Sequence, residues 1–244
     1  MGIPLNGTII ISGNIVKNNS VTPGTGTFLP QGGGGFYIDL CSPEMTNNII
    51  IDNNAPKGGG VLVCGIDRGG LTGVVKPNLI NNTISGNYAS EFGGGIYSTY
   101  SISDTATIIN TILWEDSAFS TGNEIYIADN PIDVAYSDID PAEVFGNWNS
   151  INNINADPLF IAGDSLYHLT NSSPCVNTGA DSIQIGGQWY YCPPYDYEGD
   201  ERPYLGHQAD MGADETQVPT VGIEPQPDAG LPQSYVLEKN YPNP

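Results

Sequence analysis

The chain has 244 residues, of which 39% are hydrophobic, 31 are glycine and 19 are proline. This composition can form one large all-β domain or two smaller domains, and it predicts many turns. Six basic residues against 27 acidic ones give a net charge of −21, which argues against nucleic acid and anionic membranes as partners because both bind basic surfaces. The sequence has no run of about 20 apolar residues, so it predicts no membrane-spanning helix.

The amino terminus, MGIPLNGTIIISGN, lacks the basic start and the apolar segment of a signal peptide. It resembles the middle of a repeat instead. We therefore expect a fragment or a mature chain whose export signal lies outside this sequence.

An internal repeat dominates the first half of the chain. An asparagine is followed by an apolar residue two positions later, a second asparagine five positions later and a small residue seven positions later. The copies begin at Asn14, Asn48 and Asn82, at a spacing of 34 residues, and a degenerate copy begins at Asn110. Glycines and a short apolar segment follow each copy, as in GGGGFYI from Gly32.

The repeat predicts short strands joined by sharp corners. Its apolar runs, such as TIII, NIII and GVLV, are short and β-branched, and none has the 3.6-residue period of an amphipathic helix. Asparagine and glycine tolerate positive φ and therefore indicate corners, where stacked asparagine side chains can form a hydrogen-bonded ladder. Stacking would also bury the apolar side that each repeat leaves open. The glycine runs are not phosphate loops, since neither a Lys-Ser/Thr pair nor a helix follows them.

These features predict an all-β parallel β-helix. A β-propeller is the alternative, but its blades take about 40–45 residues and four strands each. The pattern NxIxxNxA followed by GGGIY, over residues 6–140, resembles the right-handed parallel β-helix repeat of pectate-lyase-like proteins and bacterial surface proteins. The resemblance implies parallel β-helix coils over residues 1–140, and it says little about function.

A different pattern begins near Ala135. Its ordered blocks contain Asp157, Pro158, Phe160, Tyr167, Leu169, Ser173, Pro174, Gly179, Asp196, Gly199, Arg202, Asp210, Gly212, Ala213 and Glu215. This succession resembles the end of the choice-of-anchor Q domain, a β-helical module of secreted bacterial proteins. The resemblance implies that residues 141–215 are an irregular closing region of the same domain. The sequence departs from the family at Glu198, where aspartate is more common.

The carboxyl-terminal segment indicates a cellular location. Residues 216–232 form a proline-rich linker, and residues 233–244 contain LEKNYPNP. The match to L-x-x-NYPNP is carried by Leu237, Asn240, Tyr241, Pro242, Asn243 and Pro244. It resembles the opening of the sorting domain of type IX secretion. The resemblance implies contact with that secretion machinery and a secreted or cell-surface location in a Bacteroidetes-like bacterium.

Cationic residues of the repeats are candidates for lyase chemistry. The β-helix lyases use a lysine or arginine to remove the proton beside a uronate carboxylate, usually with Ca²⁺ held by aspartates. The candidates, which cluster in sequence around one coil, are Lys57, Asp67, Arg68 and Lys76, with Asp52 nearby. Exposed loop cations are the more common use of such residues, so we favour that interpretation.

Carboxylates and histidines give no clear catalytic set. The β-helix hydrolases need converging carboxylates as general acid and base. The candidates by residue type are Glu115, Asp116, Asp138 and Asp140. The two histidines, His168 and His207, lie far apart in the terminal region, where surface or capping roles are expected.

Two groups of aromatic residues are candidates for stacking against sugar rings. The first group is Tyr97, Tyr100, Trp114, Phe119 and Tyr126, on or beside successive strands. The second group is Trp189, Tyr190, Tyr191 and Tyr195. Aromatic stacks inside a β-helix core are the more common use of such residues.

A structural Ca²⁺ is the one cofactor that the sequence suggests. Its candidate ligands alternate as in an EF-hand loop and are Asp196, Glu198 and Asp200. The bidentate glutamate of an EF-hand is missing, however, and the loop is short. We favour an alternative in which Arg202 pairs with Asp210 or Glu215 to close the last coil.

The four cysteines show no CxxC spacing that would indicate zinc. In an oxidising compartment, Cys175 and Cys192 are expected to form a disulfide. Cys41 and Cys64 each follow a glycine-rich strand, so they either stack in adjacent coils or serve as small buried hydrophobic residues.

The sequence therefore favours a secreted or cell-surface β-helix protein that is not an enzyme. It would serve adhesion, glycan binding or scaffolding, with extracellular polysaccharide as a candidate partner. The alternative function is a polysaccharide lyase or glycoside hydrolase, which rests on the resemblance in fold alone.

Overall fold

The computed structural model describes residues 9–24, 31–65, 75–100 and 106–217. They form strands, turns and two single-turn 3₁₀ helices, Pro141–Glu143 and Tyr204–Gly206. Within the described ranges, neither helix has the length or the apolar content needed to cross a membrane. In chain order the strands are β1 (Ile10–Ser12), β2 (Ile15–Lys17), β3 (Phe36–Asp39), β4 (Glu44–Thr46), β5 (Ile49–Ile51), β6 (Asn54–Lys57), β7 (Val61–Gly65), β8 (Asn78–Ile80), β9 (Thr83–Ser85), β10 (Tyr88–Phe92), β11 (Ile96–Tyr100), β12 (Thr107–Ile109), β13 (Ile112–Trp114), β14 (Ser117–Ala118), β15 (Ile125–Ile127), β16 (Ile132–Ala135), β17 (Val144–Phe145), β18 (Trp148–Ile151), β19 (Ser182–Ile185) and β20 (Gln188–Tyr191).

Four parallel sheets take their strands from successive repeats. Sheet 1 has the order β1-β4-β8-β12-β16-β18, sheet 2 β2-β5-β9-β13, sheet 3 β6-β10-β14 and sheet 4 β3-β7-β11-β15-β17. Equivalent residues of the repeats pair, so that Ile49 lies between Ile15 and Thr83. This all-β arrangement is compatible with the predicted parallel β-helix. Parallel pairing continues through β18, beyond the predicted boundary at residue 140.

The core lies between the inward faces of the sheets. In a three-residue strand the middle side chain points to one face and its two neighbours point to the other. Met45, Leu79 and Ile108 are the middle residues of sheet 1 strands, and Ile50 and Ile84 occupy the same place in sheet 2. All five are essentially inaccessible to solvent. Burial of each such side chain contributes about 1.5–3 kcal/mol.

Each corner between sheets 1 and 2 is made by two consecutive residues. Asn47 and Asn81 have φ values of 56° and 53°, in the left-handed region that asparagine tolerates. The residue after each of them, Asn48 or Asn82, is buried and directs its amide along the stack. The first residue of each pair therefore makes the sharp turn, and the second residue forms the ladder.

The buried asparagines form the predicted ladder. The backbone N–H and the side-chain Nδ2 of Asn48 both donate to Oδ1 of Asn82, at 3.0 and 2.9 Å. Nδ2 of Asn48 also donates to the carbonyl of Ile11, at 2.9 Å. Asn14 makes the same pair of bonds to Asn48. A second ladder at the next corner joins Asn19, Asn53 and Asn87. The ladders satisfy buried polar groups and fix the register between repeats.

The glycine runs allow neighbouring repeats to approach closely. A Cβ atom on Gly59 would lie 2.5 Å from the carbonyl oxygen of Gly94. A Cβ atom on Gly60 would lie 2.7 Å from the carbonyl oxygen of Gly95. Since only glycine fits at these separations, the runs serve packing, as the sequence indicated.

Parts of the closing region on both sides of strands β19 and β20 cover the outer face of sheet 2. Ile49 and Ile51 of β5 point outward and pack against Tyr167, Tyr197 and Ala213 of this closing region. Strand β5 is therefore buried on both faces. This explains why its sequence is an uninterrupted III instead of an alternating pattern.

The corner asparagines bind the closing region through its backbone. Nδ2 of Asn47 donates to the carbonyl of Tyr195 at 2.7 Å, and Nδ2 of Asn81 donates to that of Asp210 at 2.9 Å. Asn110 both donates to and accepts from Ala180 at the following corner. The left-handed corner residues thus have a second task, which the sequence did not reveal.

The predicted clasp of Arg202 is formed with Glu215. Nε of Arg202 lies 3.1 Å from Oε2 of Glu215, and both side chains are completely buried. The Nε–H is not aligned with that oxygen, so the contact is an ion pair without a hydrogen bond. The guanidinium donates to Oδ1 of Asn47 and to the carbonyl of Ala213. Burial raises the pKa of Glu215 to about 7 and lowers the pKa of Arg202, and both shifts oppose the ion pair. Two backbone N–H groups, those of Tyr204 and Asp210, donate to Glu215 and favour its charged form.

The predicted Cys175–Cys192 disulfide is wrong, because all four cysteines are free thiols in the structure. Cys175 is completely buried, packs against Met211, and its Sγ donates to Oδ2 of Asp138 at 3.2 Å. Cys192 follows β20 and is partly exposed. Cys64 is a small buried hydrophobic residue, one of the two roles that the sequence left open.

We expect Asn82→Ala to lower the free energy of unfolding by about 2–4 kcal/mol, because two donors of Asn48 and the carbonyl of Met45 lose a buried partner. Asn14→Ala is the matched control, since Asn14 is exposed and only donates to the ladder. Urea unfolding followed by circular dichroism measures both variants. If the two variants lost the same unfolding free energy within about 0.5 kcal/mol, the buried asparagines of the ladder would not be the ones that stabilise the fold.

We expect alkylation of the denatured chain without reductant to add four carbamidomethyl groups, because the structure contains four free thiols. Intact-mass spectrometry measures the number, with a fully reduced sample as the control. Addition of only two groups would contradict this expectation and support the predicted Cys175–Cys192 disulfide.

Candidate functional site

A β-hairpin lies across the outer face of sheet 1. Strands β19 and β20 pair antiparallel, and Tyr190 pairs with Ile183. Ile183, Ile185 and Tyr190 face the sheet and pack on its outward apolar residues, which include Ile80 and Ile109. The hairpin therefore covers one of the two outward columns of sheet 1.

The other outward column of sheet 1 is polar and lies beside the hairpin. After the exposed Ile10 of β1, its members are Glu44, Asn78, Thr107, Asp133 and Asn149, which lie on β4, β8, β12, β16 and β18. Two hollows of about 350 and 300 Å³ lie between this column and the hairpin, and both are lined by Lys76, Gln188 and Tyr190. We call the two hollows together the hairpin groove.

An exposed aromatic pair stands on the hairpin. Trp189 and Tyr191 point away from sheet 1 and are 49% and 65% exposed. Their ring centroids are 6.3 Å apart, with an angle of 24° between the ring planes. Both residues line the larger hollow of the groove. Large exposed rings beside a polar-lined groove are typical of a binding surface.

The first predicted aromatic group is arranged differently. Tyr97, Tyr126 and Phe145 stack on successive strands of sheet 4, with centroid separations of 5.3 and 4.7 Å. Their ring faces cover one another, so Tyr97 and Tyr126 offer no free face to a sugar. Trp114 lies elsewhere, in an acidic cleft, and the side chain of Tyr100 lies outside the described residues.

The predicted lyase cations line different surfaces. Nζ of Lys57 lies 3.5 Å from Oε2 of Glu91 and above the ring of Tyr97. Lys76 instead lines the hairpin groove. Asp67 and Arg68 lie outside the described residues, so the part of the prediction that involves them stays untested.

Two buried carboxyl groups meet where the second asparagine ladder ends. Asp116 occupies the ladder position in the fourth repeat, one residue later than the copy at Asn110 predicted. Its Oδ1 accepts the backbone N–H and Nδ2 of Asn87 at 2.7 and 2.9 Å. Glu124 occupies the position of Gly60 and Gly95 in the earlier repeats. The two carboxyl groups lie within hydrogen-bonding reach of each other.

The surroundings of the carboxyl pair favour a shared proton. Oδ2 of Asp116 and Oε2 of Glu124 are buried and have no hydrogen-bond partner among the described residues if both groups are ionised. Burial raises the pKa of Asp116, and burial together with repulsion by Asp116 raises the pKa of Glu124. A proton held between them removes the repulsion and supplies the missing donor.

The carboxyl pair forms the inner wall of an open cleft of about 230 Å³. The remaining lining residues are Trp114, Glu115, Asn123, Asp140 and Glu143. Of the carboxylates that the sequence proposed by type, Glu115, Asp116 and Asp140 thus converge on this cleft. Asp138 does not, because it is buried and accepts from Cys175 and from the backbone of Ala156. Glu124 was missed, and its substitution for a repeat glycine is the signal that could have identified it.

In the predicted calcium loop, both oxygens of Asp196 accept backbone N–H groups. Oδ1 of Asp196 accepts the backbone N–H groups of Glu198, Gly199 and Asp200 at 2.8–2.9 Å. Its Oδ2 accepts the backbone N–H of Glu215 at 3.1 Å. Both oxygens of Asp196 therefore close turns of the backbone, and Glu198 points instead to His168.

We expect Asp116→Asn to stabilise the chain by about 1–3 kcal/mol at pH 8 and to have little effect at pH 4. The raised carboxyl pKa values mean that the folded state holds more protons than the unfolded state above pH 4, so wild-type stability falls as the pH rises towards 8. An amide at this position continues the ladder without a charge. Urea unfolding at both pH values measures the difference.

Glu115→Gln is the matched control for this prediction, because it removes one charge from an exposed position of the same cleft. A stability gain for Asp116→Asn that does not depend on pH would contradict proton sharing.

No family model matches the chain, and comparison with curated proteins and with solved structures found no match. The resemblances to the choice-of-anchor Q domain and to the type IX sorting domain thus have no support from a family match. They stay predictions, and the sorting motif itself lies outside the described residues.

Proposed function

We propose that this chain is a right-handed parallel β-helix protein of the bacterial cell exterior that binds a neutral polysaccharide in the hairpin groove without cleaving it. The observation that carries the proposal is the exposed ring pair of Trp189 and Tyr191 beside a groove lined with polar side chains. The resemblance of residues 141–215 and 233–244 to secreted and sorted proteins supports the exterior location and contact with type IX secretion machinery.

The groove offers the two kinds of contact that sugars need. Aromatic rings bind the apolar faces of sugar rings, and amide, carboxylate and ammonium groups bind their hydroxyls. Asn78, Gln188, Glu44 and Lys76 supply such groups around the larger hollow. The polar column from β4 to β16 spans three strand spacings, or roughly 14 Å, which suits a short stretch of a sugar chain.

The charge of the groove favours a neutral ligand. Glu44 and Asp133 lie at its two ends, against the single ammonium group of Lys76 among its described lining residues. With a net charge of −21 on the whole chain, a polyuronate would be repelled unless cations intervened. A neutral polysaccharide meets no such repulsion.

The geometry of the groove supports binding without cleavage. The carboxylates among its described lining residues are Glu44 on β4 and Asp133 on β16, three strands apart. Their strands are therefore separated by roughly 14 Å. Paired carboxylates of glycosidases lie about 5–9.5 Å apart, so Glu44 and Asp133 are too distant to act on one bond.

A glycoside hydrolase that uses the acidic cleft is the second candidate function. The observation in its favour is the buried pair of Asp116 and Glu124, whose pKa values burial raises, beside Trp114 in an open cleft. An acid held protonated near neutral pH is what a general acid requires. Release of reducing ends from a polysaccharide, lost in Asp116→Asn, would establish this function in place of binding alone.

We expect the recombinant chain to be retarded in gels that contain a soluble neutral polysaccharide, such as xylan, galactomannan or mixed-linkage glucan, and to release no reducing ends from it. Polygalacturonate and alginate should cause no retardation. The double variant Trp189→Ala/Tyr191→Ala should bind the retarding polysaccharide at least about tenfold more weakly, because each ring contributes about 1 kcal/mol of stacking.

Phe119→Ala is the matched control, because Phe119 is 80% exposed and does not line the groove. It should bind as the wild type does. Unchanged migration of the wild-type chain with every neutral polysaccharide would overturn the binding proposal and leave a scaffold role.

A further inference from the structure

His168, Glu198 and Asp214 converge from three separate segments of the closing region. One ligand atom of each residue lies within 4.8 Å of the ligand atoms of the other two. Tyr197 adds a hydroxyl that lies 2.6 Å from Nε2 of His168. This cluster was not apparent in the sequence, where the three residues are separated by turns and by the hairpin.

The imidazole of His168 is held in one orientation from behind. Asp164 contacts its Nδ1, and Asp164 also accepts the backbone N–H groups of Leu166 and His168, at 2.9 and 3.0 Å. A carboxylate that fixes Nδ1–H leaves the lone pair of Nε2 facing the other side. That side is occupied by Glu198, whose Oε2 lies 3.0 Å from Nε2. The carboxylate–histidine arrangement is the usual support of a histidine that ligates a metal.

The two carboxylates combine a fixed ligand with a movable one. Asp214 is buried, and its Oδ2 is held by the backbone N–H of Leu169 at 2.9 Å. The side chain of Glu198 is 44% exposed, so it can adjust its position to an incoming ion. His168 is also partly exposed, which gives the ion a path from solvent.

We propose that His168, Glu198 and Asp214 bind a divalent transition-metal ion of the Zn²⁺ type, with Asp164 as the residue that positions His168. One imidazole nitrogen and two carboxylates form a common ligand set for such ions, and the fourth position is left to water or to the hydroxyl of Tyr197. Ca²⁺ prefers six to eight oxygen ligands and does not suit this set.

The ion links three segments of the closing region to one another. Asp164 and His168 belong to one segment, Tyr197 and Glu198 to the turn after the hairpin, and Asp214 to the final segment. Tyr167 and Tyr197, the neighbours of these ligands, pack on the outward isoleucines of sheet 2. A metal at this point therefore stabilises the cover of sheet 2. It does not line the hairpin groove.

Calorimetric titration of the metal-free chain with Zn²⁺, followed by its thermal melting, tests the proposal. We expect one ion per chain, a higher melting temperature with Zn²⁺, and no change with the same concentration of Ca²⁺. Titration with Co²⁺ should produce the visible absorption bands of a four- or five-coordinate ion.

Glu198→Gln and His168→Gln should each weaken Zn²⁺ binding at least about tenfold, and Asp164→Asn should weaken it by about tenfold. Glu198→Gln alters an exposed side chain, so its effect does not depend on a change in folding. Glu201→Gln and His207→Gln are the matched controls, because they change an exposed carboxylate of the same loop and the other histidine of the chain.

Binding of Zn²⁺ that is unchanged in Glu198→Gln and His168→Gln, or the absence of any binding by the wild-type chain, would overturn the proposal. Retardation by a neutral polysaccharide should be the same for Glu198→Gln as for the wild type. The two proposals can therefore fail separately.

Discussion

The stack of parallel sheets depends on giving every buried backbone N–H at its corners an acceptor. A tight corner takes these amides out of the strand ladders while keeping them inside the protein, where an unpaired donor costs about 1–3 kcal/mol. The residue after each left-handed corner supplies the acceptor. Oδ1 of Asn82 accepts both the backbone and the side-chain donors of Asn48, and Nδ2 of Asn82 donates in turn to the carbonyl of Met45. A shift of one repeat by a single residue would unpair all three groups, so the corner fixes the register that places the isoleucines of the core.

The change in chemistry at the end of one ladder explains the acidic cleft. An amide both accepts and donates, so a ladder of asparagines can continue through any number of repeats. Asp116 can only accept when ionised, and after Asn87 it has no donor to offer to the next repeat. Glu124, which replaces a glycine of the earlier repeats, meets it there, and burial raises the pKa of both carboxyl groups, which favours a proton between them. The aspartate that ends the asparagine ladder and the glutamate that replaces a glycine therefore together place titratable groups in the acidic cleft.

The sequence predicted those features that repeat and missed those that join distant segments. The spacing of Asn14, Asn48 and Asn82 predicted parallel strands and an amide ladder, because each repeat carries its own corner signal. Nothing local indicates that Asn47 binds the backbone of Tyr195, since the two are 148 residues apart. The convergence of His168, Glu198 and Asp214 was missed for the same reason. The disulfide was predicted wrongly because sequence spacing cannot show that the thiol of Cys175 faces Asp138.

The hairpin groove follows from the way in which sheet 1 is covered. A three-residue strand presents two outward side chains, so the strands of sheet 1 form two outward columns, one apolar and one polar. The hairpin buries the apolar column, which includes Ile80 and Ile109, through Tyr190 and its neighbours, and it is too narrow to bury the polar one. The edge of the hairpin therefore forms one wall of the groove. Some of its lining residues, such as Trp189, take no part in the packing on sheet 1, so this part of the surface can change without loss of the fold. The proposed binding surface and the packing that stabilises sheet 1 are therefore only partly separate, because Ile80 and Tyr190 belong to both.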